Sequence, residues 1–298
     1  MTSPILRREG PEGLYARRKL RWWHEVAYAL AFYAVYSFIR NQLGSAGRFD
    51  VSADQALDNA LLIIDAERSI GLFVEEPVQD AFLDWDWFIR FWGIFYGSLH
   101  FVVTAGVMVF LFHWFPARYR RYRNVLAFTT GLALVGFALF PLMPPRLLDA
   151  GPPFGANLSQ YDFVDTLATV GGLWSFDSGA MMKLSNQWAA MPSLHIAWAA
   201  WCLLATWPVL RHWWSRALFF VYPWATLFGI VVTANHYWLD ALGGLAVLLV
   251  GWWLGNMLTN RMVPQRILDR TERMKARRGE AEEAEPPVEP SRVVTAAL

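Results

Sequence analysis

Six long apolar runs constrain this chain more than any other feature, at about residues 25–42, 87–114, 122–140, 195–211, 215–234 and 237–258. A helix needs about 20 apolar residues to cross the hydrocarbon of a bilayer. The runs predict an all-α, polytopic membrane protein with six transmembrane helices. Composition agrees, with 55% of residues hydrophobic and only 17% charged, against roughly 25% charged in soluble domains. Trp22, Trp23, Trp85, Trp87, Trp213 and Trp214 fall near run ends, where interfacial aromatic belts form. The formal net charge of +1 gives no reason to expect a nucleic-acid partner. The single cysteine, Cys202, excludes an intramolecular disulfide framework and argues against a thiolate metal site. No apolar core of signal-peptide type precedes residue 26, so the first run is expected to stay as an anchor.

Basic residues assign the two sides. Arg7, Arg8, Arg17, Arg18, Lys19 and Arg21 precede the first run, and Arg118, Arg120, Arg121 and Arg123 occupy a short loop after the second. Arg211 and Arg216 follow the fourth run, and seven Lys/Arg lie between Arg261 and Arg278. With six alternating spans these four regions share one face. The positive-inside rule then places both termini in the cytoplasm, and a bacterial plasma membrane is the expected location. Residues 1–24 read as a basic cytoplasmic segment, 25–260 as a membrane catalytic domain, and 261–298 as a disordered, Pro/Glu-rich cytoplasmic tail.

Two segments on the opposite, outer face are more than connectors. Residues 50–86 hold ten acidic residues interleaved with LLII and LFV, and predict an amphipathic helix pair near the outer surface. Residues 141–194 are too long for a simple link. Trp174, Phe176, Met181, Met182 and Trp188 in that loop are expected to shape an acceptor pocket.

Three short groups converge on the outer face: PLMPPR (Pro141–Arg146), MPSLH (Met191–His195) and NHYWLD (Asn235–Asp240). His236 and Asp240 at i, i+4 share one face of a helix. The carboxylate can fix the imidazole tautomer and free the other nitrogen to attack an electrophile. An interfacial helix-end histidine is the plainer reading, and a zinc site of His236, Asp240 and His195 is a third. Pro192 and Ser193 are helix-start residues, so His195 opens a helix whose free N–H groups suit an anion. A second helix start is expected near Asn235. Arg146, after two prolines, offers a guanidinium fork for phosphate or an anchor for lipid headgroups. Lys183 is the remaining outer-face cation between 147 and 236, a charge clamp or a solvated lysine. Tyr237 adjoins His236 and joins the substrate-binding set. His100 and Tyr96 sit at membrane depth in FYGSLHF, as a structural hydrogen bond or a substrate contact.

PSLH followed by HYWLD, with PPR upstream, resembles the type-2 phosphatidic acid phosphatase superfamily, and within it the branch containing inositol phosphorylceramide synthase. The resemblance covers about residues 25–258. It implies that His236 attacks phosphorus and forms a phosphohistidine. Asp240 would orient His236, His195 would protonate the leaving oxygen, and Arg146 with Ser193 would hold phosphate oxygens, without metal or other cofactor. The substrate would be a membrane lipid and the acceptor a lipid, a polyol or water. Where the phosphatases carry Ser-Arg ahead of the nucleophilic histidine, this chain has Gly229 and Ile230, and it reads PSLH where they read PSGH. Both departures are shared by the synthase-like branch and favour a lipid phosphotransferase. A lipid-phosphate or polyprenyl-pyrophosphate hydrolase is the alternative, and a non-catalytic lipid carrier or scaffold is the reading of another class.

Overall fold

The computed structural model describes residues 21–43, 52–171 and 186–259. Lys183, Trp174, Phe176, Met181, Met182 and the tail after 259 lie outside the described residues. The described chain is helical, and Leu142 and Ala189 form an isolated β-bridge. The helices are α1 (Trp22–Leu43), α2 (Ala53–Ser69), α3 (Glu75–Asp80), α4 (Asp86–Trp114), α5 (Pro116–Leu139), α6 (Leu194–Thr206), α7 (Trp213–Val232) and α8 (Trp238–Thr259).

Four of these, α4, α5, α7 and α8, are long and apolar enough to cross a membrane. The expected count of six is therefore not reached by length and apolarity alone. Helix α6 has 13 residues where a run of 17 was read, a length of about 20 Å. Its end follows from Pro208, which has no N–H to continue the hydrogen-bond ladder beyond Trp207, whose own N–H still donates to Leu203 O. Helix α1 is long enough but carries Glu25, whose carboxylate meets Arg123 of α5 at 2.7 Å and accepts the Tyr119 hydroxyl at 3.0 Å. The basic stretch at 118–123, expected as a loop, is the first two turns of α5. Pro116 at the first helical position starts that helix directly after α4, with Phe115 alone between them.

Packing of α8 depends on glycine. A Cβ on Gly251 would lie 2.8 Å from the Thr129 backbone nitrogen, and one on Gly255 2.7 Å from that of Val125. This G-x-x-x-G spacing lets α8 and α5 approach backbone to backbone. Higher on α8, a Cβ on Gly244 would lie 2.3 Å from the Ser193 carbonyl oxygen at the start of α6. Gly244→Ala is expected to cost about 1–3 kcal/mol through overpacking against immobile backbone. Thermal unfolding in detergent measures it, and an unchanged Tm would show that the two helices can part without penalty.

The described parts of the long segment, 141–171 and 186–193, pack largely as core. Leu142, Met143, Leu147, Leu148, Tyr161, Phe163 and Trp188 are buried against Ala56, Ala60, Ile63 and Ile64 of α2. Hydrogen bonds tie the two, with Met143 N donating to Ala56 O at 3.1 Å and Asn59 Nδ2 to Pro141 O at 2.7 Å. Trp188, read as a pocket wall, is 4% exposed and donates its indole N–H to Phe154 O at 3.1 Å. Residues 53–69 and 75–80 form two helices, and beside the apolar face of α2 the side chains of Glu67, Glu75 and Gln79 also turn inward and are buried.

Candidate active site

Three segments deliver the histidines. In the middle of α4 the residues Phe95–Leu99 form a π turn. Such a turn re-aims the side chains around it and recurs at functional sites. Here it brings Tyr96 and His100 to the start of α6. His100 Nδ1 donates to the Tyr96 carbonyl at 2.9 Å, and the two rings flank His195. Tyr96 stacks on it at 4.3 Å between centroids and His100 meets it edge-on at 4.2 Å.

His236 comes from the loop between α7 and α8. The i, i+4 pair with Asp240 forms, though not for the reason read from spacing. Helix α8 begins at Trp238, so His236 lies two residues ahead of it. Asp240, in the first turn, reaches back to accept the Tyr237 N–H at 3.0 Å and the His236 Nδ1–H at 3.2 Å. The first bond is half of a capping box, so one carboxylate both closes the helix start and orients the imidazole. His236 Nε2 then faces His195 Nδ1 at 3.3 Å. His236 is 3% exposed and Asp240 is fully buried. The zinc arrangement would need His236, Asp240 and His195 to converge on one centre. The Asp240 carboxylate instead points at a ring nitrogen of His236. Among the described residues no group of three or more His, Cys, Asp or Glu side chains could hold a metal ion.

The loop before His236 is held tightly. Asn235 and His236 donate their N–H groups to Ile230 O at 3.0 and 3.2 Å, and Ala234 adopts a left-handed φ of 50°. Arg146 donates its backbone N–H to Ala234 O at 2.8 Å, its Nε to Asn235 Oδ1 at 3.0 Å and its Nη2 to Gln187 Oε1 at 2.6 Å, and its Nη1 pairs with Asp165. The sequence reading missed Asp165. Its signal was the Asp-Thr pair of a helix cap, and it does cap the turn Thr166–Thr169 by accepting from Leu167 and Ala168. Position 230, where the phosphatases carry arginine, is filled by a buried isoleucine packed with Ile196, Val231 and Ala241.

Other expected site residues fall differently. Ser193 precedes α6, but its hydroxyl caps nothing and is buried without a partner among the described residues. Tyr237 turns away from His236 into the cluster of α2 with Leu142 and Met143, as alternate residues of a non-helical segment do, and is core. The start of α8 is not a second anion site. Its N–H groups at Tyr237, Trp238 and Leu239 are taken by Asp240, Glu75 and Glu67. The start of α6 remains, and of its first N–H groups Ser193 N goes to Asp240 O at 2.9 Å.

No solved structure matches the chain. A phosphoinositol dihydroceramide synthase of Bacteroides thetaiotaomicron is 28% identical over 143 residues, which are 45% of this chain and 44% of that protein. The chain thus matches less than half of that relative's length. The profile of the PAP2 superfamily matches residues 61–254, a stretch that begins within α2 and takes in Arg146, His195, His236 and Asp240. By that match, which covers well over half of its length, the chain belongs to the PAP2 superfamily.

Proposed function

We propose that this protein is a membrane lipid phosphotransferase of the inositol phosphorylceramide synthase kind, working through a phosphohistidine on His236. The observation that carries the reading is the placement of one imidazole between two partners. Asp240 accepts a hydrogen bond from the Nδ1–H, which leaves the Nε2 lone pair facing His195. A donor phosphate entering there replaces the His195 contact. Nε2 attacks phosphorus, and protonated His195 delivers its proton to the departing alcohol oxygen. The imidazolium formed on His236 is stabilised by the buried carboxylate. An acceptor hydroxyl then gives its proton to His195 and attacks phosphorus, which restores His236.

Arg146 uses three of its five N–H donors on Asn235, Asp165 and Gln187. The remaining two suit phosphate oxygens, with Ser193 Oγ and Lys183 as further contacts. Tyr96 and His100 line the approach to His195. In the proposed topology α1 and α6 complete six spans, both termini are cytoplasmic, α2 and α3 lie at the outer face, and the site faces outward in a bacterial plasma membrane.

Purified protein in detergent, offered a panel of lipid phosphodiesters with and without inositol-type or lipid alcohols, tests the reading. The expected result is a transferred headgroup that requires the acceptor. Release of a free phospho-headgroup, or of inorganic phosphate from a lipid phosphomonoester, at the same rate with or without acceptor would make the protein a lipid-phosphate hydrolase instead. Unimpaired biological activity of His236→Ala would favour a carrier. Turnover is expected to be the same with and without EDTA. Loss with chelator, restored by zinc, would overturn the metal-free route.

A further inference from the structure

Two buried carboxyls take no part in this chemistry. Glu67, near the end of α2, and Glu75, at the start of α3, are both 0% exposed. Each reaches the first turn of α8. Glu75 Oε1 accepts the Trp238 N–H at 2.8 Å, and Glu67 Oε1 accepts the Leu239 N–H at 3.1 Å. The other oxygen of Glu75 accepts the Val74 N–H at 3.0 Å. These donors come directly after His236 and Tyr237, so the opening of the helix is clamped by side chains more than 160 residues away in sequence. We infer that Glu67 and Glu75 are positioning residues, which anchor the first turn of α8 and thereby hold His236 against Asp240 and His195.

The inference rests on the proposed role of His236. A helix start welcomes negative charge, but two glutamates and Asp240 in one buried place would be three charges. A proton held on Glu67, whose second oxygen has no other partner among the described residues, resolves the conflict. Burial, and then the neighbouring Glu75, push Glu67 up to about 9, and burial raises Glu75 as well. Asp240 and Tyr237 of the α8 start face the pair, and Tyr161 faces Tyr237. Arg68, beside Glu67 in α2, places its guanidinium over the rings of Phe73 and Tyr161 at 4.9 and 5.4 Å. Because the folded pKa lies above the ordinary 4.5, the folded state holds an extra proton between the two values. The clamp is therefore strongest at low pH, weakens as pH rises through that window, and is fully charged above about 9.

Glutamine at 67 mimics the protonated acid, since its oxygen can accept from Leu239 and its amide can donate to Glu75. Alanine removes the clamp. Full-length Glu67→Ala in detergent is expected to lose about 10–100-fold in kcat with KM within about threefold, as a misplaced catalytic group does. Glu67→Gln is expected to recover turnover to within about threefold and to hold it about one pH unit further into the alkaline range than wild type. Carbethoxylation of His236 by diethyl pyrocarbonate, mapped by mass spectrometry, should be faster in Glu67→Ala and not in Glu67→Gln. Wild-type kcat in Glu67→Ala, equal losses in both variants, or identical alkaline limbs in wild type and Glu67→Gln would each overturn the inference. If wild type transfers no headgroup from any lipid, the functional reading fails, and the His236 labelling rate still judges the clamp. An unchanged rate in Glu67→Ala overturns it. Should Glu67→Ala not fold, Glu67→Gln and Glu75→Gln carry the same comparison.

Discussion

His236→Ala is expected to abolish headgroup transfer, with a loss of at least about 10⁴-fold in kcat, as for removal of a nucleophile that acts as one unit with its partners. The imidazole is 3% exposed and both its nitrogens are engaged. His195→Ala should be comparably silent on natural donors, but for a different reason. Its task is to give a proton to the leaving oxygen, and that need shrinks as the leaving group becomes more acidic. An aryl phosphodiester donor should therefore recover part of the His195→Ala activity and none of the His236→Ala activity. Acid-labile phosphorus on the protein, measured after a brief reaction with labelled donor, should appear in wild type and be missing from His236→Ala. Labelled phosphorus on the His236→Ala protein would place the nucleophile elsewhere.

Asp240→Asn is expected to lower kcat by about 10²–10⁴-fold, by analogy with the loss of an orienting carboxylate behind a catalytic imidazole. Asparagine keeps the size and can still accept the Tyr237 N–H. Its amide can instead donate to His236 Nδ1, which moves the imidazole proton to Nε2 and removes the lone pair that attacks. The neutral side chain also no longer balances the imidazolium of the intermediate. The fall should therefore appear in kcat, with KM and the circular dichroism spectrum little changed. A KM effect alone would mean that Asp240 serves the helix start and not the imidazole.

What the sequence could show depended on distance along the chain. His236 and Asp240 are four residues apart, and helix-start chemistry at Pro192 and Ser193 marks where His195 stands, so local rules bring these residues into view. The same rules misplaced the start of α8, because a capping carboxylate at the third helical position looks identical to an i, i+4 pair inside the helix. Glu67 and Glu75 were hidden for the opposite reason. In an acid-rich stretch nothing local distinguishes a glutamate that faces water from one that caps a helix 160 residues later. Trp188 and Tyr237 looked like lining and are core, since a loop can bury its own side chains only against a partner, here α2, that the loop sequence does not name. At α6 the apolar run of 17 residues continues past Pro208, while the helix itself has 13 residues.

The shortness of α6 has a consequence for which molecules can be processed. Its length of about 20 Å falls short of a hydrocarbon slab of about 30 Å. In the proposed topology, with the end of α6 that precedes Arg211 at the inner interface, His195 would lie about 10 Å beneath the outer edge of the hydrocarbon. A water-soluble phosphate ester would have to shed its hydration to descend that far. A lipid would bring its phosphodiester the same distance inward from the edge of the hydrocarbon, but its own chains already lie in the bilayer and would hold it there. Depth alone would then act as a first filter on the donor, before any side chain has recognised a headgroup.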